Sequence, residues 1–414
     1  MKPMHNDDFL TDLQSLVIHG DLDAENGADD TALAPAIYPA STYAARNSAE
    51  FAAMANQPRH PRYYARYGNP TQERCERLLA KLEGVEAALL CSSGMGAMSA
   101  SLLALARAGD HIVAQTSHYM GTAKLLTDLL PGLGVEVTQV DQRDTAAFFA
   151  ATRKNTRLIV VETPSNPTLA LTDLAAIAEF ARSRGIVTLA DNTFASPINQ
   201  RPRDFGIDLA LHSATKYLGG HSDLIAGVVC GDAERVEKIW ECAIALGTNV
   251  SPFNAFLLLR GLRTLPMRVA RQNENALTLA RFLETQPAIA RVHYPELASH
   301  PQRALAKRQM RHGGGVLSIE LKGGDGDEQG FHAAQKFVAA LKLARHAVSL
   351  GGVETLVVHA ASMWEASLTP EQMRRAGIAP SLVRIAAGLE NAADLQADIT
   401  QALSGIEDRQ GSPE

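Results

Sequence analysis

The chain is poor in the features that tie a protein to disulfides, membranes or polyanions. Its 414 residues contain four cysteines, Cys75, Cys91, Cys230 and Cys242. They lie far apart and form no C-x-x-C pair, so no disulfide framework is expected and a reducing cytoplasm fits. No apolar run approaches transmembrane length. The first residues, MKPMHNDDFLTDLQ, are acidic and lack the apolar stretch of a signal peptide. There is no basic block or arginine stripe, and the formal net charge is −6, so neither nucleic acid nor an anionic membrane is expected as a partner. Internal repeats and low-complexity segments are also missing. What remains, 46% hydrophobic and 20% charged residues, is the composition of a globular protein with a large core.

Four stretches are expected along the chain. Residues 1–70, rich in Ala, Pro, Asp and Asn, read as an arm, because Pro35, Pro39, Pro58 and Pro61 interrupt any long helix. Such an arm gains stability by lying on something else, and a second subunit is the expected support. Residues 71–262 alternate between amphipathic helices and short apolar strands. TQERCERLLAKLEGV reads as a helix ended by Gly84, and AALLC, HIVAQ, VEVTQV, RLIVVETP, IVTLADN, DLALHS and LIAGVVC read as strands. Repeated βα units with continuous apolar strands imply an α/β fold with a mostly parallel sheet covered on both faces. Residues 263–404 read as a smaller α+β domain, with VLSIELKGG and ETLVVHAA as strands. The segment 251–286 is helical with an interruption near Pro266, and residues 405–414 read as a tail.

Ligands of parallel sheets bind outside the carboxyl ends of the strands. Four groups fall there. The glycine-rich turn CSSGMGAMSA opens a helix and can present backbone N–H groups to an anion, although its glycines suit close packing equally well. Asn166 lies in the turn ETPSNP, where turn chemistry alone accounts for it. Asp191 ends a strand, as a cap or as a partner for a cationic nitrogen. Lys216 follows the strand DLALHS, between Ser213 and Thr215 on one side and Gly219-Gly220 on the other. A lone lysine there ordinarily points into solvent. Together the four meet the needs of pyridoxal phosphate, an amine for covalent attachment, an anion cradle and an acid beside the pyridine nitrogen. Lys216 supplies the amine, Asp191 the acid, and Gly94, Met95, Ser213 and Thr215 the cradle. The alternatives are a nicotinamide-dependent enzyme built on GMGAMS, which lacks the third glycine of G-x-G-x-x-G, and a non-catalytic binding protein.

In chain order, YARYGNPT, ETPSNP, DNTFASP, HSATKYLGGHSD, SLGGVETL and LVRIAAGLE resemble the Cys/Met-metabolism family of pyridoxal-phosphate enzymes, over roughly residues 15–402. That family includes cystathionine γ-synthases, cystathionine and methionine γ-lyases and O-acylhomoserine sulfhydrylases. The resemblance implies fold type I, the aspartate-aminotransferase-like fold, in a homotetramer built from two dimers. It implies that Lys216 binds the cofactor and later shuttles protons. By the same resemblance Tyr119 would stack on the pyridine ring, its phenol helping to move protons, and Asn166 would hydrogen-bond the ring oxygen. Tyr64 and Arg66 would reach the phosphate of the neighbouring subunit, Arg384 would clamp the substrate carboxylate, and Ser349 would fix the Lys216 amine or that carboxylate. No metal site is expected.

The sequence departs from the family around the substrate. Val348 stands where cystathionine enzymes usually carry a glutamate. Gly121 takes the place of a cysteine characteristic of methionine γ-lyases, and Met120 that of a common glycine. Trp364 and Glu365 replace a usual Thr-His pair, so the indole either walls the pocket or turns into the core. The expectation is elimination or replacement at Cγ or Cβ of a sulfur amino acid or activated homoserine, with a lean toward γ-elimination. The segment SPFNAF favours replacement on an O-acylhomoserine.

Overall fold

Residues 69–84 show how local sequence makes an element. Asn69 Oδ1 accepts the N–H of Thr71, and Pro70 occupies the first turn of helix Pro70–Glu83, where no N–H is needed. The helix stops at Gly84, whose φ of 69° lets its N–H reach the carbonyls of Ala80 and Lys81. Leu78, Leu79 and Leu82 are fully buried on its inner face. Truncating any of them to alanine costs about 2–5 kcal/mol.

The computed structural model describes residues 12–21, 32–322, 327–365 and 368–407. Twelve strands form two sheets among these residues. The first contains β1 (Ala87–Cys91), β2 (His111–Gln115), β3 (Glu136–Val140), β4 (Thr156–Glu162), β5 (Val187–Asp191), β6 (Leu209–His212) and β7 (Gly227–Gly231). Its order is β1-β7-β6-β5-β4-β2-β3. The pairs among β2 to β6 are parallel, whereas β7 runs antiparallel to both β1 and β6. The second sheet contains β8 (Ile289–His293), β9 (Val316–Leu321), β10 (Arg345–His346), β11 (Leu356–His359) and β12 (Leu382–Ala386), in the order β10-β11-β12-β9-β8.

Alternation along the strands divides the large core into two layers. Leu89, Leu158, Leu189, Leu209 and Val229 join the layer that holds helix Gly94–Leu105 and helix Ala233–Leu246. Leu90, Ala210 and Val228, one residue out of phase, meet helix Pro70–Glu83 and helix Pro252–Leu262 on the other face. The sheet is therefore covered on both sides, which is why its strands read as unbroken apolar runs.

Between the sheets lies helix Leu265–Glu284. Leu265 and Val269 enter the large core, while Ala276, Leu279 and Leu283 enter that of the second sheet. Helix Pro252–Leu262 ends just before it, so the interruption expected near Pro266 is a true break. Strands β8, β10 and β12 have no counterpart in the sequence reading. β10 is only two residues long, and β12 carries an arginine in its centre. The last helix, Ala392–Glu407, runs further than the tail boundary at residue 405. The tail residues 408–414 and the arm segments 1–11 and 22–31 lie outside the described residues.

Candidate active site

The carboxyl ends of β4, β5 and β6 open into a cavity of about 420 Å³. In parallel register Glu162 pairs with Asp191, and Asp191 with Leu211. Residues in register on neighbouring strands point to the same face. Two carboxylates and the start of the lysine turn therefore meet on the face that holds helix Gly94–Leu105.

At that helix, Ser93 Oγ takes the N–H of Gly96. The N–H groups of Gly94 and Met95 have no acceptor among the described residues, and both residues line the cavity. Gly94 must lack a side chain, because a Cβ there would lie 2.9 Å from Cβ of Ser213. The first helical turn and the Ser213–Lys216 turn are thereby pressed together. Thr215 Oγ1 donates to the carbonyl of Ala226 and accepts its N–H, which fixes that hydroxyl at the cavity wall.

Lys216 Nζ donates to Ser349 Oγ at 2.7 Å. Burial, and then the charge of Arg384, bring its amine down from 10.5 to about 8. The turn that carries it is anchored from behind by Arg268, which is buried and donates to the carbonyls of Tyr217 and Gly261, each at 2.8 Å. Gly220, at φ 72°, leaves the room that the Arg268 guanidinium fills. Ser349 holds a left-handed φ of 91°, unusual for a residue with a side chain. Its carbonyl accepts from Arg384 Nη2 at 2.9 Å, so both ends of this residue are tied to site cations.

Arg384, in the centre of β12, is 5% exposed. Nη1 donates to Asn166 Oδ1 at 3.1 Å, and Arg384 has no carboxylate partner among the described residues. Burial lowers its pKa from 12.5 to about 10. Asp191 accepts the N–H of Thr193 at 3.0 Å. Burial first, and the neighbouring Glu162 second, push its carboxyl up from 3.8 to about 6. Glu162 accepts the N–H of Tyr119 at 2.7 Å and that of Asn166 at 3.3 Å. It thus positions two of the expected site residues at once. Glu162 was missed in the sequence, although it ends a strand in the same way as Asp191. Its role becomes visible only once β4 is known to lie beside β5.

Of the residues expected in the site, Gly94, Met95, Tyr119, Asn166, Asp191, Ser213, Thr215, Lys216, Val348, Ser349, Trp364 and Arg384 all line this cavity. Tyr64 and Arg66 do not. Arg66 is exposed, donates to the carbonyl of Ile244 at 3.2 Å, and lies over the rings of Tyr64 and Tyr67. The Trp364 side chain is 3% exposed and packs with Ile378 and Leu382, and the residue also lines the cavity. The space beside Gly121 is taken by Met95, whose Sδ would lie 2.6 Å from a Cβ at residue 121.

The donor set fits pyridoxal phosphate. There are helix-terminal N–H groups without acceptors, a half-exposed Tyr119 ring with no ring partner among the described residues, an amine poised near neutrality, and a carboxyl short of a cation. Residues 14–404 match the family described as Cys/Met metabolism PLP-dependent enzyme. The chain belongs to that family, and its cofactor is pyridoxal phosphate. It is 40% identical over 402 residues to an L-methionine gamma-lyase of Pseudomonas putida, covering 97% of this chain and 99% of the relative. It is 39% identical over 371 residues to an O-succinylhomoserine sulfhydrylase of Pseudomonas aeruginosa, covering 90% and 91%. The crystal structure of cystathionine gamma-lyase from Lactobacillus plantarum complexed with L-serine matches with a TM-score of 0.86 and 36% identity, over 96% of this chain and 99% of that one. The nicotinamide reading of GMGAMS is thereby set aside.

The raised Asp191 carboxyl has a measurable consequence. The cofactor-free fold binds a proton there more tightly than the unfolded chain does. This group therefore weakens the fold as pH rises from about 4 through about 6. A cofactor whose protonated ring nitrogen lay beside the carboxylate would reverse that sign. The gap in Tm between loaded and cofactor-free protein should be wider at about pH 7 than at about pH 5. A gap independent of pH would remove Asp191 from this role.

Proposed function

We propose that this enzyme removes the γ-substituent of a sulfur amino acid, with Lys216 as the cofactor-binding and proton-carrying residue. The observation that carries the reading is the convergence of Lys216, Asp191, Arg384 and the helix-terminal N–H groups on one cavity. When bound, the cofactor supplies an electron sink for the carbon that loses its proton. Arg384 holds the substrate carboxylate in a two-pronged grip, which places the substrate Cα within reach of the Lys216 amine. Asn166, oriented by Arg384 through its Oδ1, keeps its amide N–H groups for the cofactor's ring oxygen. Tyr119, fixed through its backbone by Glu162, would supply an aromatic face for the ring. Gly94, Met95 and Ser213 would hold the phosphate, and Thr215 would join them with its hydroxyl turned from the carbonyl of Ala226. Ser349 holds the amine of Lys216.

Elimination from methionine would consume one water and release methanethiol, ammonia and 2-oxobutanoate. Replacement on an O-acylhomoserine would instead require a thiol or sulfide and release the carboxylic acid. It is the second reading, favoured by the sulfhydrylase likeness. Assays of 2-oxo acid and ammonia from methionine, homocysteine and O-acetylhomoserine, with and without added sulfide, separate the two. Oxo acid formed without sulfide supports elimination. A reaction that runs only with sulfide supports replacement and overturns the primary reading.

The assembly we propose is a homotetramer of two dimers in the cytoplasm. Tyr64 and Phe51 are 42% and 51% exposed on the arm, apolar surface suited to coverage by another copy. No helix among the described residues is long and apolar enough to cross a membrane, and the four cysteines are unpaired. Arg66 would reach the phosphate held by a neighbouring subunit. Arg66→Ala should therefore weaken cofactor binding by about tenfold or more. Mixing it with Lys216→Ala should restore activity to about a quarter of the sites, since each mixed dimer owns one intact site. Equilibrium cofactor titration and activity of mixed oligomers check this. No recovery on mixing would place Arg66 in its own subunit's chemistry or in none.

A further inference from the structure

His118 is a buried imidazole whose ring nitrogens bond to nothing. Its side chain has no exposed surface, and neither nitrogen has a hydrogen-bond partner among the described residues. A buried polar group without a partner weakens a fold, so its presence calls for a reason. Among the described residues the acid within ion-pair distance is Glu162, whose Oε2 lies 3.8 Å from His118 Nδ1. That is too long for a hydrogen bond and short enough for charges to act strongly in a buried site. Glu162 in turn lacks a cation. It is 3% exposed, and strand register sets it beside Asp191 on one face of the sheet. Two buried carboxylates so placed resist ionising together. Asp191 shows the effect, since Glu162 follows burial as the cause of its raised carboxyl. The hydrogen bonds to Glu162 come from the backbone N–H groups of Tyr119 and Asn166, which are dipoles and not charges. The other titratable groups around the pair are engaged or carry no positive charge. Lys216 reaches Ser349, and Arg384 reaches Asn166 and the carbonyl of Ser349. His212, whose charge acts on Asp191, is held by Glu83 at 2.6 Å, and the Tyr119 phenol offers no cation.

We infer that His118 carries the counter-charge of Glu162, and that it thereby leaves Asp191 free to stay ionised against the cofactor's ring nitrogen. His118 is a positioning residue, because it acts through Glu162 and does not itself line the cavity. This goes beyond the lyase reading and rests only on the place of Asp191 beside the cofactor ring. With a protonated ring nitrogen at Asp191 and an imidazolium at Glu162, the four buried charges cancel. Without the imidazolium one negative charge is left over, and one of the two carboxyls must take up a proton.

Solid-state nitrogen NMR of the cofactor-free protein, labelled at histidine, reads the His118 ring directly. Loss of its signals in His118→Gln identifies them, and His118→Asn serves the same purpose where the glutamine does not fold. At about pH 7 the parent should show an imidazolium, and Glu162→Gln a neutral ring. Equilibrium titration with pyridoxal phosphate then tests the effect on Asp191. The ratio of Kd in His118→Gln to Kd in the parent cancels the titration of the free cofactor and of Lys216. That ratio should be about fivefold larger at about pH 5 than at about pH 8, because an Asp191 carboxyl raised further holds its proton against the cofactor in the acid range. In a Glu162→Gln background the same substitution of His118 should leave the ratio independent of pH, which a purely structural role would not produce. A neutral His118 ring in the parent at about pH 7, a ratio that stays flat, or a pH dependence that persists in the Glu162→Gln background overturns the inference. Failure of the lyase reading would show separately, as no 2-oxo acid released from any sulfur amino acid.

Discussion

Replacing Lys216 by alanine should reduce turnover by about four to six orders of magnitude and remove the visible absorbance of the bound cofactor. The amine is held in place by Ser349 Oγ and brought down to about 8, so that a useful fraction is uncharged and nucleophilic at neutral pH. The fold should survive. The backbone of the turn does not depend on the Lys216 side chain. The carbonyls of Tyr217 and Gly261 are tied by Arg268, and the N–H of Gly219 bonds to the carbonyl of Ala214. Circular dichroism should therefore match the parent while the absorbance band is lost. An unchanged band, or turnover within about tenfold of the parent, would take the chemistry away from this residue.

Arg384→Ala should lower kcat/KM by about two to four orders of magnitude, with the visible band retained. The guanidinium is buried, lacks a carboxylate partner among the described residues, and borders the cavity. Such a cation is costly to keep unless a ligand supplies the anion. Removing one partner of a buried charge-assisted pair costs about 2–5 kcal/mol, which sets the size of the effect. Arg384→Lys should recover only part of the loss, since an ammonium cannot form the parallel pair of hydrogen bonds. Retention of the band separates loss of substrate grip from loss of cofactor. A kcat/KM within about threefold of the parent would mean that the carboxylate is bound elsewhere.

Both experiments probe residues whose types were readable in the linear chain but whose surroundings were not. Lys216 was legible because its turn is local, with the strand, the hydroxyls and the glycines all within a short segment. Asp191 was legible for the same reason, as the polar end of an apolar run. Glu162 has the same local pattern and passed unnoticed, because its importance lies in its register with Asp191. Arg268 is likewise invisible in sequence, since what it holds is a set of carbonyls 50 and 51 residues away and one in the preceding helix.

Taken alone, the sequence determined the repeating strand and helix pattern around the first sheet, the turn that carries Lys216, the helix terminus at Gly94 and membership in the family. Each of these is written in hydrophobic periodicity, capping residues or contiguous motifs, which act over a few residues. Tertiary structure alone decided that β7 runs antiparallel, that helix Leu265–Glu284 joins two cores, and that Trp364 packs with Ile378 while still bordering the cavity. It also decided that Ser349, 133 residues from Lys216, receives its amine. Strand order and packing between distant segments depend on which apolar faces cover one another, and residues within a single element carry no record of that choice.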